Sequence, residues 1–332
     1  MLRRHTMRDG QPPMTRPVFF LHVSSAGGSS VCKWVMDQPC AKVPFCGANC
    51  NLNCHHPWDW SRWCPTGVCQ KPAKACRPAH REGCEGLQRY VRRRNLTFIA
   101  SETLISAGGS FCFDEFAHIT VLRDPVDRLQ SQLTRMYGGK PNSRLRALAS
   151  QKLLFNTSER TSLMGTAALD NYLTRLLLGP SAFFLPLGAI NASHERAAMG
   201  VLSKFALAVP IENVTTSGAE WLRASFGWMG PFPRTNRHTR FSRSHRDHGR
   251  RLAHSGRALG ERSLRLLRAL NRHDTRLVQK ARERFERQYR ELASTRFTPQ
   301  QGNHAESKAR PSCARRQCPQ GRINWQPGLD AV

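Results

Sequence analysis

The sequence predicts an α/β fold in which helices cover both faces of a central, mainly parallel sheet, giving a three-layer sandwich. Two observations predict it. Short apolar runs recur along the chain, and most of them are followed by a helical pattern of apolar residues. Because parallel strands need a crossover connection, usually a helix, this alternation is typical of a parallel sheet. The 332 residues are enough for one large domain or two small ones.

The predicted strands are short and apolar. They are Val18–Val23, Leu96–Ser101, Ala117–Leu122 and Ala206–Ile211. Helical patterns cover Ser29–Asp37, Ala168–Leu178, Ser193–Phe205, Thr215–Phe226 and Leu259–Leu270, and a closing helix carries Leu277, Ala281, Phe285 and Tyr289 at every fourth position.

The clearest helix start follows the third strand. Asp124 is a favourable N-cap residue, and Pro125 suits the first helical position because the N–H that proline lacks has no partner there. The pair Gly138-Gly139 is predicted to end this helix. The chain therefore passes from strand to helix in one tight turn.

Composition divides the chain into segments. Residues 1–16 are polar and predicted to be disordered, and residues 17–292 are predicted to form the domain. Within it, residues 38–86 are rich in Cys, Pro and Trp and have little periodicity, which predicts an insertion held by cross-links or a metal. Residues 293–332 are predicted to be a C-terminal tail.

Cysteines are concentrated near the amino terminus, because nine of the 12 lie between Cys32 and Cys84. This density predicts disulfides and an oxidising compartment. No signal-peptide-like apolar segment and no run of about 18 apolar residues occurs, so no transmembrane segment is expected. Four glycosylation sequons nevertheless fit the secretory route. They begin at Asn95, Asn156, Asn191 and Asn213.

The chain is strongly basic, with 51 Lys and Arg residues against 23 acidic ones and a formal charge of +28. Such a surface attracts nucleic acid, anionic lipid or acidic polysaccharide, although arginines spread along polar helix faces produce the same excess. One interpretation is therefore a zinc-stabilised protein that binds nucleic acid. Its ligand cluster would be Cys46, Cys50, Cys54, His55 and His56, which lacks a paired second knuckle at finger-like spacing.

The turn after the first strand is built from small residues, from Ser24 to Ser30. Gly27 and Gly28 allow the backbone to approach an anion closely, and the helix that follows offers free N–H groups and a positive dipole end. Serine hydroxyls add further donors. A small-residue turn needed only for tight packing is the alternative. The turn lacks the Gly-Lys-Ser/Thr of a Walker A loop and the Gly-x-Gly-x-x-Gly of a Rossmann fingerprint.

The turn after the third strand carries Arg123 and, further along its helix, Ser131. Asp124 and Ser131 are seven positions apart, close to two helical turns, so Ser131 lies on the same side as the start of the helix. An arginine fork and a hydroxyl there suit a phosphate. The alternative is an arginine paired with a neighbouring carboxylate beside an exposed serine.

These two turns resemble those of Golgi-type carbohydrate sulfotransferases. "FFLHVSSAGGSS" is similar to their 5′-phosphosulfate loop, and "ITVLRDPVDRLQSQL" is similar to their 3′-phosphate motif, Leu-Arg-Asp-Pro-x-x-Arg-x-x-Ser. The resemblance continues in "LDNYLTRLLLG", in the segment from "HERAAMGVLSKF" to "ASFGW", and in "LNRHDTRLVQKARERFERQ". It covers roughly residues 17–290. It implies a P-loop-like sandwich.

The resemblance also implies a function and a place. The donor would be 3′-phosphoadenosine 5′-phosphosulfate (PAPS), and the acceptor a hydroxyl of a glycan in the Golgi lumen or secretory pathway, with no metal and no nucleic acid. Arg123 and Ser131 would bind the 3′-phosphate. The 5′-phosphosulfate would be held by Ser24, Ser25, Ala26, Gly27, Gly28, Ser29 and Ser30.

The sequence departs from the family at Ser25, which stands where the family has lysine. A cation there stabilises the charge that develops on the leaving oxygen. Lys33 is the candidate substitute, because long helical side chains lean toward the helix amino terminus. Glu102, directly after the second strand, is the candidate base. Arg175 is a candidate contact for cofactor or acceptor, or else part of an ion pair on a helix surface.

The departure leaves two further functions open beside that of an active sulfotransferase. One is a catalytically weak or inactive relative that binds nucleotide or acidic glycans. The other is the zinc-stabilised nucleic-acid-binding protein described above.

Overall fold

The fold is built on a four-stranded, all-parallel sheet, which confirms the predicted α/β architecture. The computed structural model describes residues 16–39, 41–44, 50, 83–101, 111–136, 165–233 and 261–296. The strand order is β2-β1-β3-β4. The strands are β1 (Val18–Leu21), β2 (Phe98–Ser101), β3 (Ala117–Leu122) and β4 (Leu207–Pro210).

Helices lie between β1 and β2, between β3 and β4, and after β4, in agreement with the predicted alternation. They are α1 (Gly28–Met36), α2 (Gly83–Arg93), α3 (Pro125–Met136), α4 (Gly165–Leu169), α5 (Tyr172–Leu178), α6 (Pro180–Phe183), α7 (Ala192–Leu202), α8 (Ser217–Phe226), α9 (Glu261–Leu270) and α10 (Arg272–Arg296). Helix α10 continues past residue 292, where the sequence places the start of the tail. No helix among these described segments is long and apolar enough to cross a membrane.

The register brings the carboxyl ends of the strands to one edge of the sheet. Leu21 lies beside Ser101 on one side and Thr120 on the other, and Leu122 lies beside Pro210. The turns that follow β1 and β3 therefore start at the same edge. Open α/β sheets bind their ligands at this edge.

Alternate residues of each strand point to opposite sides of the sheet. Since every strand residue is buried, both faces of the sheet are covered. On one face, all four strands pack against residues of α1 and α8. On the other face, β1, β3 and β4 pack against α5, α7 and α10. A third cluster joins β1 and β2 to α2. The three-layer arrangement follows from these contacts.

The predicted helix Ala168–Leu178 is broken in the structure. Asn171 has a left-handed backbone (φ 48°), which separates α4 from α5. Its backbone N–H donates to Asn271 Oδ1 at 3.0 Å, and its side chain donates to Leu270 O. The periodicity continues across the break, so the sequence pattern alone does not reveal it.

Within the described residues, a disulfide between Cys84 and Cys112 joins α2 to the segment before β3. It agrees with the predicted use of cysteine. Cys32 and Cys50 are free and buried. Glu115 lies close to both disulfide sulfurs, but bonded sulfurs are unavailable as thiolate ligands. Of the five predicted zinc ligands, the structure describes Cys50 alone. The remaining four lie outside the described residues, as do Gly138-Gly139 and most of the Cys-rich insertion.

Candidate functional site

The two predicted anion-binding turns touch each other. Arg123, directly after β3, donates from Nη1 to the carbonyl oxygen of Ser25 at 3.3 Å. Three residues before Arg123, Thr120 Oγ1 donates to Leu21 O at 2.9 Å, so β3 also supports the point where β1 ends. The site thus places a cation from the second turn against the backbone of the first.

The first turn has the backbone needed to open a helix abruptly. Ser25 and Gly27 both have positive φ, 63° and 85°, and α1 begins at Gly28. Gly27 is the N-cap and has no side chain with which to accept from the first N–H groups of α1. A helix start without a side-chain cap attracts anions through its N–H groups and its dipole.

Ser25 combines two unusual features. It is a non-glycine residue in the left-handed region, a conformation that costs free energy and often accompanies function. Its Oγ is buried and has no hydrogen-bond partner among the described residues. A buried hydroxyl without a partner indicates a group that a ligand can satisfy. This is the position where the family resemblance leads us to expect lysine.

Gly28 also has a packing role, which the sequence analysis did not predict. A Cβ built on Gly28 would lie 1.9 to 2.6 Å from ring atoms of His22. The space on the Cβ side of its backbone is therefore filled by an imidazole, whereas its backbone N–H belongs to the start of α1. His22 is 3% exposed and stacks on Phe20 with ring centroids 5.6 Å apart. Gly28 is needed for this packing, and only the left-handed Gly27 remains a conformational requirement of the loop.

The second turn forms as predicted. Asp124 Oδ1 accepts from the backbone N–H groups of Val126 (2.9 Å) and Asp127 (3.0 Å), so it is the N-cap of α3. The helix begins at Pro125. Arg123 and Ser131 are both half-buried, which leaves each of them partly accessible to a ligand.

Arg128 is a member of this site that the sequence analysis missed. It is 3% exposed, lies 4.3 Å from the centre of the Tyr172 ring, and donates to Gln132 Oε1 (2.5 Å) and Ala168 O (2.8 Å). Burial lowers the pKa of its guanidinium, and the charge of Arg123 lowers that pKa further. Arg128 therefore fastens α3 to α4 and α5 behind Arg123. The sequence analysis missed Arg128 because core positions are predicted from apolar residues, and arginine is charged.

Lys33 is directed away from the loop. Its Nζ lies 3.0 Å from Asp37 Oδ2, one turn toward the carboxyl end of α1. The expected lean toward the amino terminus is absent because a carboxylate four residues later attracts the ammonium. Glu102, the candidate base, follows the last residue of β2 and lies outside the described residues.

Arg175 is a structural residue, which corrects its expected role in substrate binding. It is fully buried, and Nη2 donates to Asp170 Oδ2 at 2.6 Å. Nε donates to the carbonyl of Asp170, and Nη1 and Nη2 donate to carbonyls of the chain that follows α5. All its nitrogens are thus engaged within the protein. It is not an ion pair on a helix surface either.

The site as a whole offers a guanidinium, an uncapped helix start and hydroxyl groups at one edge of the sheet. Such groups bind and orient anions. A scan against protein-family models and a search of curated proteins both give no match to this chain.

Proposed function

We propose that this protein is a sulfotransferase that moves the sulfuryl group of PAPS to a hydroxyl of a glycan. The observation that carries the proposal is the contact between Arg123 and the Ser25 carbonyl, which makes the two anion-type turns neighbours. PAPS carries phosphate at both ends of one nucleoside. It therefore needs two anion sites on one edge of a sheet.

Each turn has a role in this proposal. Residues 24–30 and the start of α1 hold the 5′-phosphosulfate, and the buried Ser25 hydroxyl gains a partner there. Arg123 and Ser131 hold the 3′-phosphate. The acceptor hydroxyl attacks sulfur, its proton passes to a base for which Glu102 is the candidate, and the bond to the bridging oxygen breaks. The products are the sulfated glycan and adenosine 3′,5′-bisphosphate.

A second candidate function is binding without efficient transfer. Ser25 replaces the expected lysine, and the ammonium of Lys33 is paired with Asp37. The leaving oxygen would then lack a nearby cation from either position. Loss of one such contact typically slows transfer by about 10²–10³. The protein would in that case bind nucleotide or acidic glycans.

A Golgi or secretory location belongs to the same proposal. The Cys84–Cys112 disulfide supports it, because disulfides persist in oxidising compartments.

Nucleotide binding tests the two-ended site. We expect adenosine 3′,5′-bisphosphate to bind at least tenfold more tightly than adenosine 5′-monophosphate when both are measured by calorimetry. Arg123→Ala should weaken binding of the bisphosphate by an order of magnitude or more, since a charged hydrogen bond contributes roughly 1.5–3 kcal/mol. It should weaken the monophosphate much less.

Arg265→Ala is the matched control. Arg265 is exposed on α9, pairs with Glu261 at 3.8 Å, and should leave both affinities unchanged. Equal affinity of the native protein for the two nucleotides would overturn the 3′-phosphate assignment.

Sulfate transfer tests the chemistry separately from binding. Ser25→Lys should raise the single-turnover rate tenfold or more on a panel of desulfated glycans, with little change in nucleotide affinity. The physical reason is that the added cation acts on charge that develops in the transition state. Lys33→Ala should leave the rate unchanged, because the native ammonium is already paired with Asp37.

Three outcomes are informative. A loss of transfer in Lys33→Ala, restored by adding Ser25→Lys, would show that Lys33 leaves Asp37 to serve the loop. Activity that neither position affects would place the cation elsewhere in the chain. Nucleotide binding without transfer by any variant would favour the second candidate function.

A further inference from the structure

Two free cysteines lie against each other beside α1, the helix that follows the first of the two predicted anion-binding turns. Cys32, in α1, and Cys50 are both 0% exposed. The backbone N–H of Cys50 donates to Cys32 Sγ at 2.9 Å, across 18 positions of sequence. Both side chains belong to the core cluster that packs α1 on β1 and β2. Two sulfur-bearing residues in such contact are a candidate cross-link.

The backbone around them is held in place from a second direction. Ala100 N–H donates to the carbonyl of Cys50 at 3.2 Å, and Thr97 N–H donates to the carbonyl of Lys42 at 2.9 Å. The chain that leaves α1 is thus bonded both to β2, an edge strand of the sheet, and to the residue before it. These bonds cover part of an edge that would otherwise present unpaired backbone groups. They also keep Cys50 beside Cys32.

The same chain forms a disulfide elsewhere, between Cys84 and Cys112. When one cysteine pair of a protein has been oxidised to a disulfide, every other pair that folding brings together has been exposed to the same oxidant. Burial raises the pKa of the Cys50 thiol, and its hydrogen bond with Cys32 raises it further. Thiols held in this way react slowly once the core has closed, so their oxidation state is set during folding.

We propose that Cys32 and Cys50 form a second structural disulfide, which fastens the chain after α1 to the helix that follows the first anion turn. The bond forms by thiol–disulfide exchange. The two thiols lose two protons and two electrons, and an external disulfide, such as oxidised glutathione or an oxidoreductase, takes them up to become two thiols. The exchange precedes closure of the core, and the finished bond resists reductants in the folded state.

The test is a disulfide map of the full chain produced in an oxidising compartment, denatured and alkylated without reduction. Trypsin releases Cys50 on the fragment of residues 43–62, which also holds Cys46 and Cys54. Fragmentation of the cross-linked peptide must therefore assign the bond to one sulfur. We expect Cys32 joined to Cys50, with Cys84–Cys112 in the same digest as the internal standard.

Variants make the assignment independent of fragmentation. Cys50→Ala should release Cys32 as a free thiol, whereas Cys46→Ala and Cys54→Ala should not. Mild reductant should leave the bond intact in folded protein and open it in denaturant. Reduction in denaturant followed by refolding should lower the melting temperature of the native protein by about 6–12 °C more than that of Cys50→Ala protein, in which this bond cannot form.

Two results would overturn the proposal. One is alkylation of both Cys32 and Cys50 in protein whose Cys84–Cys112 bond is complete. The other is a bond from either cysteine to a different partner. Neither the map nor the thiol count depends on nucleotide binding, so this inference stands or falls apart from the proposed function.

Discussion

At the scale of single residues, the contact between Gly28 and His22 decides the shape of the first turn. Any side chain at position 28 would occupy the volume of the imidazole ring. The ring is buried and stacked, so it cannot move aside without disturbing β1. The glycine is therefore a packing requirement.

Gly28→Ala should lower the free energy of unfolding by about 1–3 kcal/mol, because overpacking in a filled core costs about that much. His22→Ala removes the ring and makes room for the new methyl group. The double variant should therefore be more stable than the sum of the two single effects predicts, by about 1 kcal/mol or more, when measured by denaturant titration.

Gly200→Ala is the control for this measurement. Gly200 lies in α7, and a Cβ built on it meets nothing within 4 Å. That change should stabilise the protein by up to about 1 kcal/mol through helix propensity. Additive effects of Gly28→Ala and His22→Ala would mean that the ring does not limit the site.

At the scale of elements, the amino-terminal ends of α5 and α10 cap each other. Asp274, near the start of α10, accepts from Leu173 N–H (2.6 Å), Thr174 N–H (2.8 Å) and Thr174 Oγ1 (2.7 Å) at the start of α5. In return, Asn171 Oδ1 accepts from the N–H groups of residues 273 and 274, at 3.0 Å each. Each helix thereby supplies the cap of the other.

Asp274→Asn should destabilise the protein by roughly 2–3 kcal/mol. Asp274 is buried, and its carboxylate accepts three hydrogen bonds, whereas an amide in either orientation places its NH2 group against at least one backbone N–H. Denaturant unfolding measures the loss. Asp37→Asn, which alters only the exposed pair with Lys33, should change stability by less than about 1 kcal/mol. Equal effects of the two variants would contradict the mutual cap.

Tyr172 extends this arrangement toward the candidate site. It is the first residue of α5, and the buried guanidinium of Arg128 lies over its ring. Arg128 in turn belongs to α3, the helix that presents Ser131. The positions of α5 and α10 therefore help to set the position of the proposed 3′-phosphate site.

At the scale of the whole molecule, stability should depend on pH through His118, inside a box of aromatic rings. Its ring centroid is 4.6 Å from that of Phe113, 4.9 Å from Phe19 and 5.5 Å from Phe205. Burial lowers the pKa of His118 from 6.5 to about 4. The folded state therefore keeps this imidazole neutral in a range where the unfolded chain protonates it.

The direction in which stability changes with pH follows from the number of protons that the folded and the unfolded state each bind. Between pH 6.5 and about 4 the unfolded state binds more protons, so stability is full above pH 6.5 and falls as the pH decreases through this window. The loss from this one group is about 3 kcal/mol at 1.36 kcal/mol per pKa unit. Unfolding experiments from pH 7 to pH 4 measure it.

His118→Phe should flatten the stability curve between pH 6.5 and 4. His194→Asn is the control, because the half-buried His194 lies at the start of α7 and outside the aromatic box, so its replacement should leave that slope unchanged. Glu195 adds its own loss between pH 4.5 and about 2, since its hydrogen bonds from Arg276 and His273 lower its pKa to about 2. A slope that persists unchanged in His118→Phe would contradict the assignment to His118.

Local patterns in the sequence determined much of this architecture. The strand Ala117–Leu122 has the predicted bounds, and the cap at Asp124 forms as expected, because apolar runs and caps depend on neighbours a few positions away. The order of strand, turn and helix likewise placed both anion-type turns at the carboxyl edge, since that edge is common to all parallel strands.

Only the tertiary structure decided which residues meet. Arg123 and Ser25 are 98 positions apart, and Asp274 and Thr174 are 100 positions apart. Arg175 appears in the sequence as an available cation, yet the chain folds around it and all its donors find carbonyls and a carboxylate inside the protein. The physical reason is that burial and pairing of a polar group are set by chain segments distant in sequence, and no local pattern records them.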